Sequence, residues 1–204
     1  MNMKDMSQDL KKFNEIDESK LKNPITFFGS ARLKESSKYY KMAKDLAFRC
    51  VESGFTVVSG GGGGIMRAAN EGAFCAKKSD KQNVSVGFNI YLPLEQRLND
   101  FVDYNMLFDT LAIRKMALID KSVAFVVFPG GFGTLDEFCE ILTLKQLGFK
   151  KVPIFVVGSD FWYKFKDFID DSLLSLEVIS KGDEKLFEIS DDLEEIINKL
   201  KGIV

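Results

Sequence analysis

A glycine-rich turn between an apolar segment and an amphipathic segment constrains this chain more than any other feature. The apolar segment, residues 123–128, is typical of a strand buried in a parallel sheet. Residues 129–137 (PGGFGTLDE) follow it, and the pattern after them predicts a helix to about Leu147. A glycine turn that leads from a strand into a helix directs free backbone N–H groups towards an anion. The sequence therefore predicts a phosphate-binding turn, with the Glu137 carboxylate one turn into the helix.

Strand-like and helix-like segments alternate along the chain from Pro24 onwards. This alternation predicts an α/β fold, a Rossmann-like, doubly wound and mainly parallel sheet with helices on both faces. We predict a single domain over residues 24–204, preceded by a polar arm at 1–23 that forms a short helix or stays mobile. The predicted strands are 25–28, 55–58, 84–90, 123–128 and 153–157. The predicted helices are 36–53, 65–77, 110–121, the one ending near 147, 161–174 and 191–200, and residues 92–108 are expected to be irregular with a short extended piece near 104–108.

The charge and hydropathy of the chain limit its partners. The net charge is −2 and no block of like charge stands out, so we expect no nucleic-acid partner. The N-terminal segment lacks the apolar core of a signal peptide, and no apolar run approaches the roughly 20 residues of a membrane helix. We therefore expect a cytoplasmic protein without a membrane partner.

The chain contains no histidine, and this absence excludes several kinds of catalysis. Ser-His-Asp and Cys-His catalysis and imidazole-ligated zinc sites are ruled out, and we expect no metal site. Proton transfer has to rest on carboxylates, lysine, tyrosine or water. The three cysteines, Cys50, Cys75 and Cys139, are predicted to be small buried hydrophobic residues rather than disulfide partners.

A second glycine run, residues 60–64, follows the predicted strand 55–58. Five glycines lose more backbone entropy on folding than a tight turn requires, which favours close approach of a ligand or of another backbone segment. The candidate ligand-binding positions are Gly61, Gly62 and Gly63. The spacing matches neither a dinucleotide fingerprint nor a Walker loop, so NAD and ATP are not implied.

Three residues of these segments, Thr134, Glu137 and Arg114, each admit two interpretations. Thr134 and Glu137 fit a capping box at a helix start, or a phosphate-binding hydroxyl and a catalytic carboxylate, and the residues alone favour neither. Arg114 lies in a predicted helix that is apolar on nearly every side. Its guanidinium is either buried with a partner or exposed on a narrow polar stripe with Lys115 and Lys121.

In their order along the chain, these motifs resemble the LOG family, the cytokinin riboside 5′-monophosphate phosphoribohydrolases, many of which carry the label "lysine decarboxylase-like". The family signature is PGGxGTxxE, which residues 129–137 match. The other matching segments are 28–32 (FGSAR), 59–66 (SGGGGGIM), 87–96 (GFNIYLPLEQ), Arg114-Lys115 and 142–148 (LTLKQLG), so the resemblance covers roughly residues 24–168.

The resemblance implies a cofactor-free enzyme that hydrolyses the N-glycosidic bond of a nucleoside 5′-monophosphate, AMP or N6-modified AMP, to free base and ribose 5-phosphate. It implies that Glu137 and Arg114 are catalytic. The further candidates for binding substrate or phosphate are Gly130, Gly131, Gly133, Thr134, Gly61, Gly62, Gly63, Ser30, Arg97, Lys115 and Glu140. It also implies a homodimer or a higher homo-oligomer, which agrees with a predicted signature helix that is apolar on two faces.

Two departures from the family pattern leave the preferred base open. Gly63 stands where many relatives have proline, and residues 111–113 (LAI) stand where many have a Met-His-Glu-like stretch. The alternative function is a non-catalytic nucleotide or molybdenum-cofactor carrier of the same fold. A lysine decarboxylase would need pyridoxal phosphate on a lysine, and no lysine has a recognisable cofactor context. The charge distribution disfavours a nucleic-acid-binding relative.

Overall fold

A computed structural model describes residues 3–78, 84–91 and 97–203. In these residues one sheet contains seven strands in the order β4-β3-β2-β1-β5-β6-β7, and all neighbouring pairs are parallel. The strands are β1 (Pro24–Phe28), β2 (Thr56–Ser59), β3 (Ser85–Ile90), β4 (Tyr104–Phe108), β5 (Ala124–Val127), β6 (Ile154–Val156) and β7 (Glu188–Ile189). The helices are α1 (Met3–Asn14), α2 (Lys38–Glu52), α3 (Ile65–Cys75), α4 (Leu111–Ile119), α5 (Phe132–Gln146), α6 (Ser159–Phe168) and α7 (Leu193–Lys201). The predicted fold class is therefore confirmed.

Alternate residues of the strands point to opposite faces and build two apolar cores. Val126 belongs to the core under α2, α3 and α7, whereas Phe125 and Val127 belong to the core under α4, α5 and α6. Because both faces are covered, the central strands are buried at every position, as their continuous apolar sequence predicts.

The strand order creates a crevice at the middle of the sheet. From β1 the chain adds strands outwards to β4, then returns to place β5 on the other side of β1. The connections that leave β1 and β5 therefore diverge to opposite faces, and the space between them is where doubly wound sheets bind ligands.

The structure differs from the sequence prediction at several places. The predicted extended piece near 104–108 is a full edge strand, β4. The predicted helix 161–174 starts earlier, at Ser159, and continues after Phe168 as a π-helical turn, Ile169–Leu174. Strand β7 was not predicted, because a two-residue strand has too little pattern to detect. Cys50 is buried as predicted, but the prediction was wrong for Cys75 and Cys139, which are exposed.

The N-terminal arm forms a helix and packs against the rest of the chain. Helix α1 contacts α4 and β4, and Phe13 and Ile16 pack on the core that lies under α4. The helical alternative of the prediction therefore describes this segment. Within the described ranges, no helix is both long and apolar enough to cross a bilayer.

Candidate active site

A cavity of about 600 Å³ lies in the crevice between the ends of β1 and β5. It is lined by residues 27–32, Gly60, Met66, Ile90, Leu111, Arg114, residues 131–134 and Glu137. This volume falls in the range of small-molecule sites. The two glycine-containing turns after β1 and β5 and the first glycine after β2 thus reach one cavity.

The N-terminus of α5 opens into this cavity with free backbone donors. The helix begins at Phe132, and its N-cap residue is Gly131. Within the described chain, the N–H groups of residues 131–134 have no backbone or side-chain acceptor. A Cβ added at Gly131 or Gly133 would meet nothing within 4 Å, so both face open space, whereas at Gly130 it would lie 2.1 Å from the Thr134 hydroxyl. The turn therefore presents amides and a positive helix end to an anion.

A buried ion pair lines the same cavity as these amides. Arg114 Nη1 lies 2.5 Å from Glu137 Oε1, and the two side chains are only 9% and 12% exposed. Arg114 Nε donates to the Phe88 carbonyl at 3.0 Å, which fixes the plane of the guanidinium. Burial raises the pKa of the Glu137 carboxyl, and the positive charge of Arg114 offsets only part of that rise. The site thus contains a carboxylate whose proton affinity is above that of an exposed glutamate.

Gly60, which begins the turn after β2, makes room for this guanidinium. A Cβ at position 60 would lie 2.0 Å from Arg114 Nη2 and 2.7 Å from the Met66 sulfur. The first glycine of the second run therefore leaves the space that the Arg114 and Met66 side chains occupy.

The capping-box interpretation of Thr134 and Glu137 is wrong. Because α5 begins at Phe132, Thr134 is already the third residue of the helix and cannot be its N-cap. The Glu137 carboxylate bonds to Arg114, and no side-chain bond caps the helix start. The second interpretation of Arg114, an exposed position on a polar stripe, is wrong as well, since the residue is buried.

Gly61, Gly62 and Gly63 do not line the cavity, so the structure does not support their prediction as ligand-binding positions. The Gly61 and Gly62 carbonyls accept hydrogen bonds from the backbone and side-chain amides of Asn99, and Gly61 has a positive φ of 69°. A Cβ at Gly61 would lie 2.8 Å from the Leu98 side chain, so close packing explains why position 61 is a glycine.

The remaining candidate residues divide between the cavity and other surfaces. Ser30 lines the cavity, and its hydroxyl accepts a hydrogen bond from the Arg32 N–H. Lys115 lies outside the cavity lining, where its Nζ is 2.8 Å from the Glu140 carboxylate and 2.9 Å from Asp136. Arg97 is exposed and does not line the cavity, while the neighbouring residues 92–96 lie outside the described residues.

Sequence reasoning missed two apolar residues at the mouth of the cavity. Phe132 is 92% exposed at the first position of α5, and Leu111 is 57% exposed at the first position of α4. Apolar residues in predicted helices are expected in the core, so the helical periodicity predicted burial for two residues that are exposed. The position of Phe132 between Gly131 and Gly133 was the available signal, since that turn has to stay at the surface to bind a ligand.

Comparisons with known proteins identify the family of the chain. A protein-family model described as "Possible lysine decarboxylase" matches residues 66–200. A probable cytokinin riboside 5′-monophosphate phosphoribohydrolase of Oryza sativa subsp. japonica is 26% identical over 92% of this chain and 87% of its own length. A cytokinin riboside 5′-monophosphate phosphoribohydrolase of Arabidopsis thaliana is 26% identical over 91% of this chain and 85% of its own. The chain belongs to the LOG family.

Solved structures share the fold of this LOG-family chain. A molybdenum cofactor binding protein from the phototrophic bacterium Rippkaea orientalis superposes with a TM-score of 0.62 at 20% identity, over 89% of this chain and 97% of the other. A molybdenum cofactor carrier protein from Chlamydomonas reinhardtii gives 0.62 at 22% identity, over 89% and 98%. At these identities the likeness concerns the fold alone.

Proposed function

We propose that this LOG-family protein hydrolyses the N-glycosidic bond of a nucleoside 5′-monophosphate to free base and ribose 5-phosphate. The observation that carries the proposal is the shared cavity, in which the buried Arg114–Glu137 pair lies close to the free N-terminus of α5. Such a cavity combines an anion site with a carboxylate that can act on the sugar beside it. The sequence relatives named for this reaction support the same assignment.

The 5′-phosphate would bind at the turn between β5 and α5. The free amides of residues 131–134 supply donors, the Thr134 hydroxyl adds another, and the helix dipole favours negative charge. Nucleosides that lack the phosphate would leave these donors unpaired and would react poorly.

Glu137 would act on the reacting sugar carbon. Cleavage of an N-glycosidic bond passes through an oxocarbenium-like state with positive charge on the ribose. A carboxylate in a buried site stabilises that charge strongly and can orient or deprotonate the attacking water. The raised pKa of Glu137 makes it a better proton acceptor than an exposed glutamate would be.

Arg114 would hold Glu137 ionised and in place, and can help the base depart. It donates to Glu137 and to the Phe88 carbonyl at the same time, which fixes both groups. The apolar side chains of Met66, Ile90 and Leu111 offer surface to a flat base. We propose that the base of the substrate is adenine, as in AMP, or N6-modified adenine of the cytokinin type. No lysine lines the described part of the cavity, which disfavours a Schiff-base decarboxylase.

A panel of nucleoside 5′-monophosphates and the matching nucleosides tests the proposal. Chromatography of each mixture measures the free base released, and we expect release from AMP but little from adenosine. The rates across the panel then rank the bases, including N6-modified adenine. Binding of AMP without release of base would instead favour the carrier function.

Replacing Gly131 by alanine is expected to raise the KM for AMP by about tenfold without lowering stability. The backbone of Gly131 is extended, with φ −94° and ψ −156°, and an added Cβ meets nothing within 4 Å in the free protein. The new methyl group would enter only the space that the phosphate is proposed to occupy. Initial rates and urea unfolding measure the two effects. Gly202→Ala, whose Cβ would also fit, is the control. An unchanged KM in Gly131→Ala would show that the phosphate does not bind at this turn.

The activity is expected to fall on the acid side at a higher pH than an exposed glutamate would give. Glu137 has to be ionised to act, and burial raises its folded-state pKa above the usual 4.5. The active form is therefore present above this raised pKa and is lost as the pH falls through it. The pH profile of kcat/KM for AMP measures this limb. A limb at or below the usual value would show that Glu137 is not the ionising group.

The oligomeric state and the location of the protein remain predictions. The exposed apolar side chains of Phe132, Leu147 and Phe149 at the two ends of α5 suit contact with a second copy. We propose a homodimer or a higher homo-oligomer, and light scattering in solution would show a monomer if this is wrong. A cytoplasmic location is likewise proposed, and cell fractionation tests it.

A further inference from the structure

The N-terminal arm contributes a buried carboxylate to the start of α4. Asp9 is fully buried, and its Oδ2 accepts hydrogen bonds from the backbone N–H groups of Asp109 at 2.9 Å and Thr110 at 2.7 Å. The same oxygen accepts a third hydrogen bond from the Thr110 hydroxyl at 2.8 Å. Thr110 is the N-cap residue of α4, and its own side chain makes no capping bond. Asp9 therefore fixes the N-cap residue of α4, and the residue before it, from a segment about 100 residues away.

Lys12, on the next turn of α1, completes this contact. Its Nζ donates to Asp9 Oδ1 at 3.0 Å, to the Leu107 carbonyl at 2.8 Å and to Asp109 Oδ2 at 2.9 Å. Burial alone would raise the pKa of Asp9, but the hydrogen bonds from Lys12 and Thr110 outweigh that effect and lower it. Asp9 is therefore ionised at neutral pH and complements the positive end of α4, whose first turn has no acidic residue of its own.

The N-cap residue Thr110 lies one helical turn from Arg114. The Arg114 N–H donates to the Thr110 carbonyl at 3.1 Å. The position of Thr110 therefore affects the position of the Arg114 backbone, from which the guanidinium extends. The acceptor of Arg114 Nε, the Phe88 carbonyl, lies in β3, which pairs with β4 at Asn89↔Leu107. The arm thus holds the start of α4 and the end of β4, the strand that pairs with the Phe88-bearing strand β3.

We propose that Asp9 is a positioning residue that sets the geometry of the Arg114–Glu137 pair by fixing Thr110, the N-cap residue of α4. This proposal rests on the proposed function. The opposing explanation is that the arm only adds stability, because Phe13 and Ile16 cover part of the core. The two explanations differ in what they predict for turnover and for the ionisation of Glu137.

The test compares Asp9→Asn and Asp9→Glu with Asp5→Asn in the full chain. Asp5 lies one turn earlier on α1, so its substitution makes the same chemical change on the same helix. Asp9→Asn is expected to lower kcat for AMP on the order of tenfold to a hundredfold, because small displacements of catalytic groups cost that much. The KM should change little, since the amides of α5 are not touched. Asp9→Glu should restore part of kcat, and Asp5→Asn should match the wild type.

A second measurement does not depend on turnover. Titration of the Glu137 carboxyl by ¹³C NMR is expected to move to higher pH in Asp9→Asn, because Arg114 is the group that lowers its pKa. If Asp9→Asn does not fold, Lys12→Met is expected to shift the titration and kcat in the same directions by less. A lower melting temperature with unchanged kcat and unchanged Glu137 titration would overturn the proposal. Absence of hydrolysis by the wild type would overturn the proposed function alone, since the titration still decides the role of Asp9.

Discussion

Replacing Glu137 by glutamine is expected to lower kcat for AMP hydrolysis by about 10³-fold while AMP still binds. Glutamine keeps the shape of the side chain and can still accept a hydrogen bond from Arg114. It lacks the negative charge that stabilises the oxocarbenium-like state, and it is a poor base. Because the phosphate donors lie on other residues, the binding affinity for AMP should be retained. Initial rates of adenine release and calorimetric titration with AMP measure the two quantities.

Asp136→Asn is the matched control for this substitution. Asp136 precedes Glu137 on the same helix, loses the same charge, and is an exposed residue that contacts Lys115 rather than the cavity. Its variant is expected to retain nearly full activity. Near-normal turnover in Glu137→Gln, or an equal loss in Asp136→Asn, would contradict the assignment of Glu137 as the reacting carboxylate.

Replacing Arg114 by methionine is expected to lower both activity and stability. The change leaves Glu137 buried without its partner, which costs about 3 kcal/mol of the free energy of unfolding when a buried ion pair is broken. Glu137 then takes up a proton more readily, because the positive charge that lowered its pKa is gone. We expect kcat/KM to fall by about 10²-fold or more. Urea unfolding and initial rates provide the measurements.

The double variant Arg114→Met, Glu137→Gln separates the two effects. With the buried charge removed as well, most of the lost stability is expected to return, whereas activity stays low. If the stability loss of the double variant equals the sum of the losses of the two single variants, Arg114 and Glu137 are not coupled. Normal activity in Arg114→Met would show that Arg114 has no role in the reaction.

The sequence predicted those parts of the site that are local in the chain. The strand, the glycine turn and the helix follow one another between residues 123 and 147, so their pattern alone placed the free amides of α5. The residues alone favoured neither a capping box nor a catalytic role for Glu137, and only the family resemblance predicted the catalytic role. That choice depended on where α5 begins, and pattern reasoning does not fix helix boundaries to one residue.

The parts that the sequence did not predict depend on contacts between distant segments. The pairing of Arg114 with Glu137 follows from the position of α4 over the sheet next to β5, which only the strand order establishes. The role of Gly60 as space for a guanidinium was equally hidden, because glycine carries no side chain that could indicate its neighbour. Asp9 resembled any charged residue of a polar arm until its partners at 109 and 110 were known.

Quantitative NMR of AMP with the wild-type protein and with Glu137→Gln tests the central claim most directly. The account predicts that the wild type produces adenine and ribose 5-phosphate in equal amounts as AMP disappears, whereas Glu137→Gln binds AMP and produces neither at a comparable rate. AMP that binds to the wild-type protein and remains intact would contradict the hydrolase and favour a carrier of the same fold.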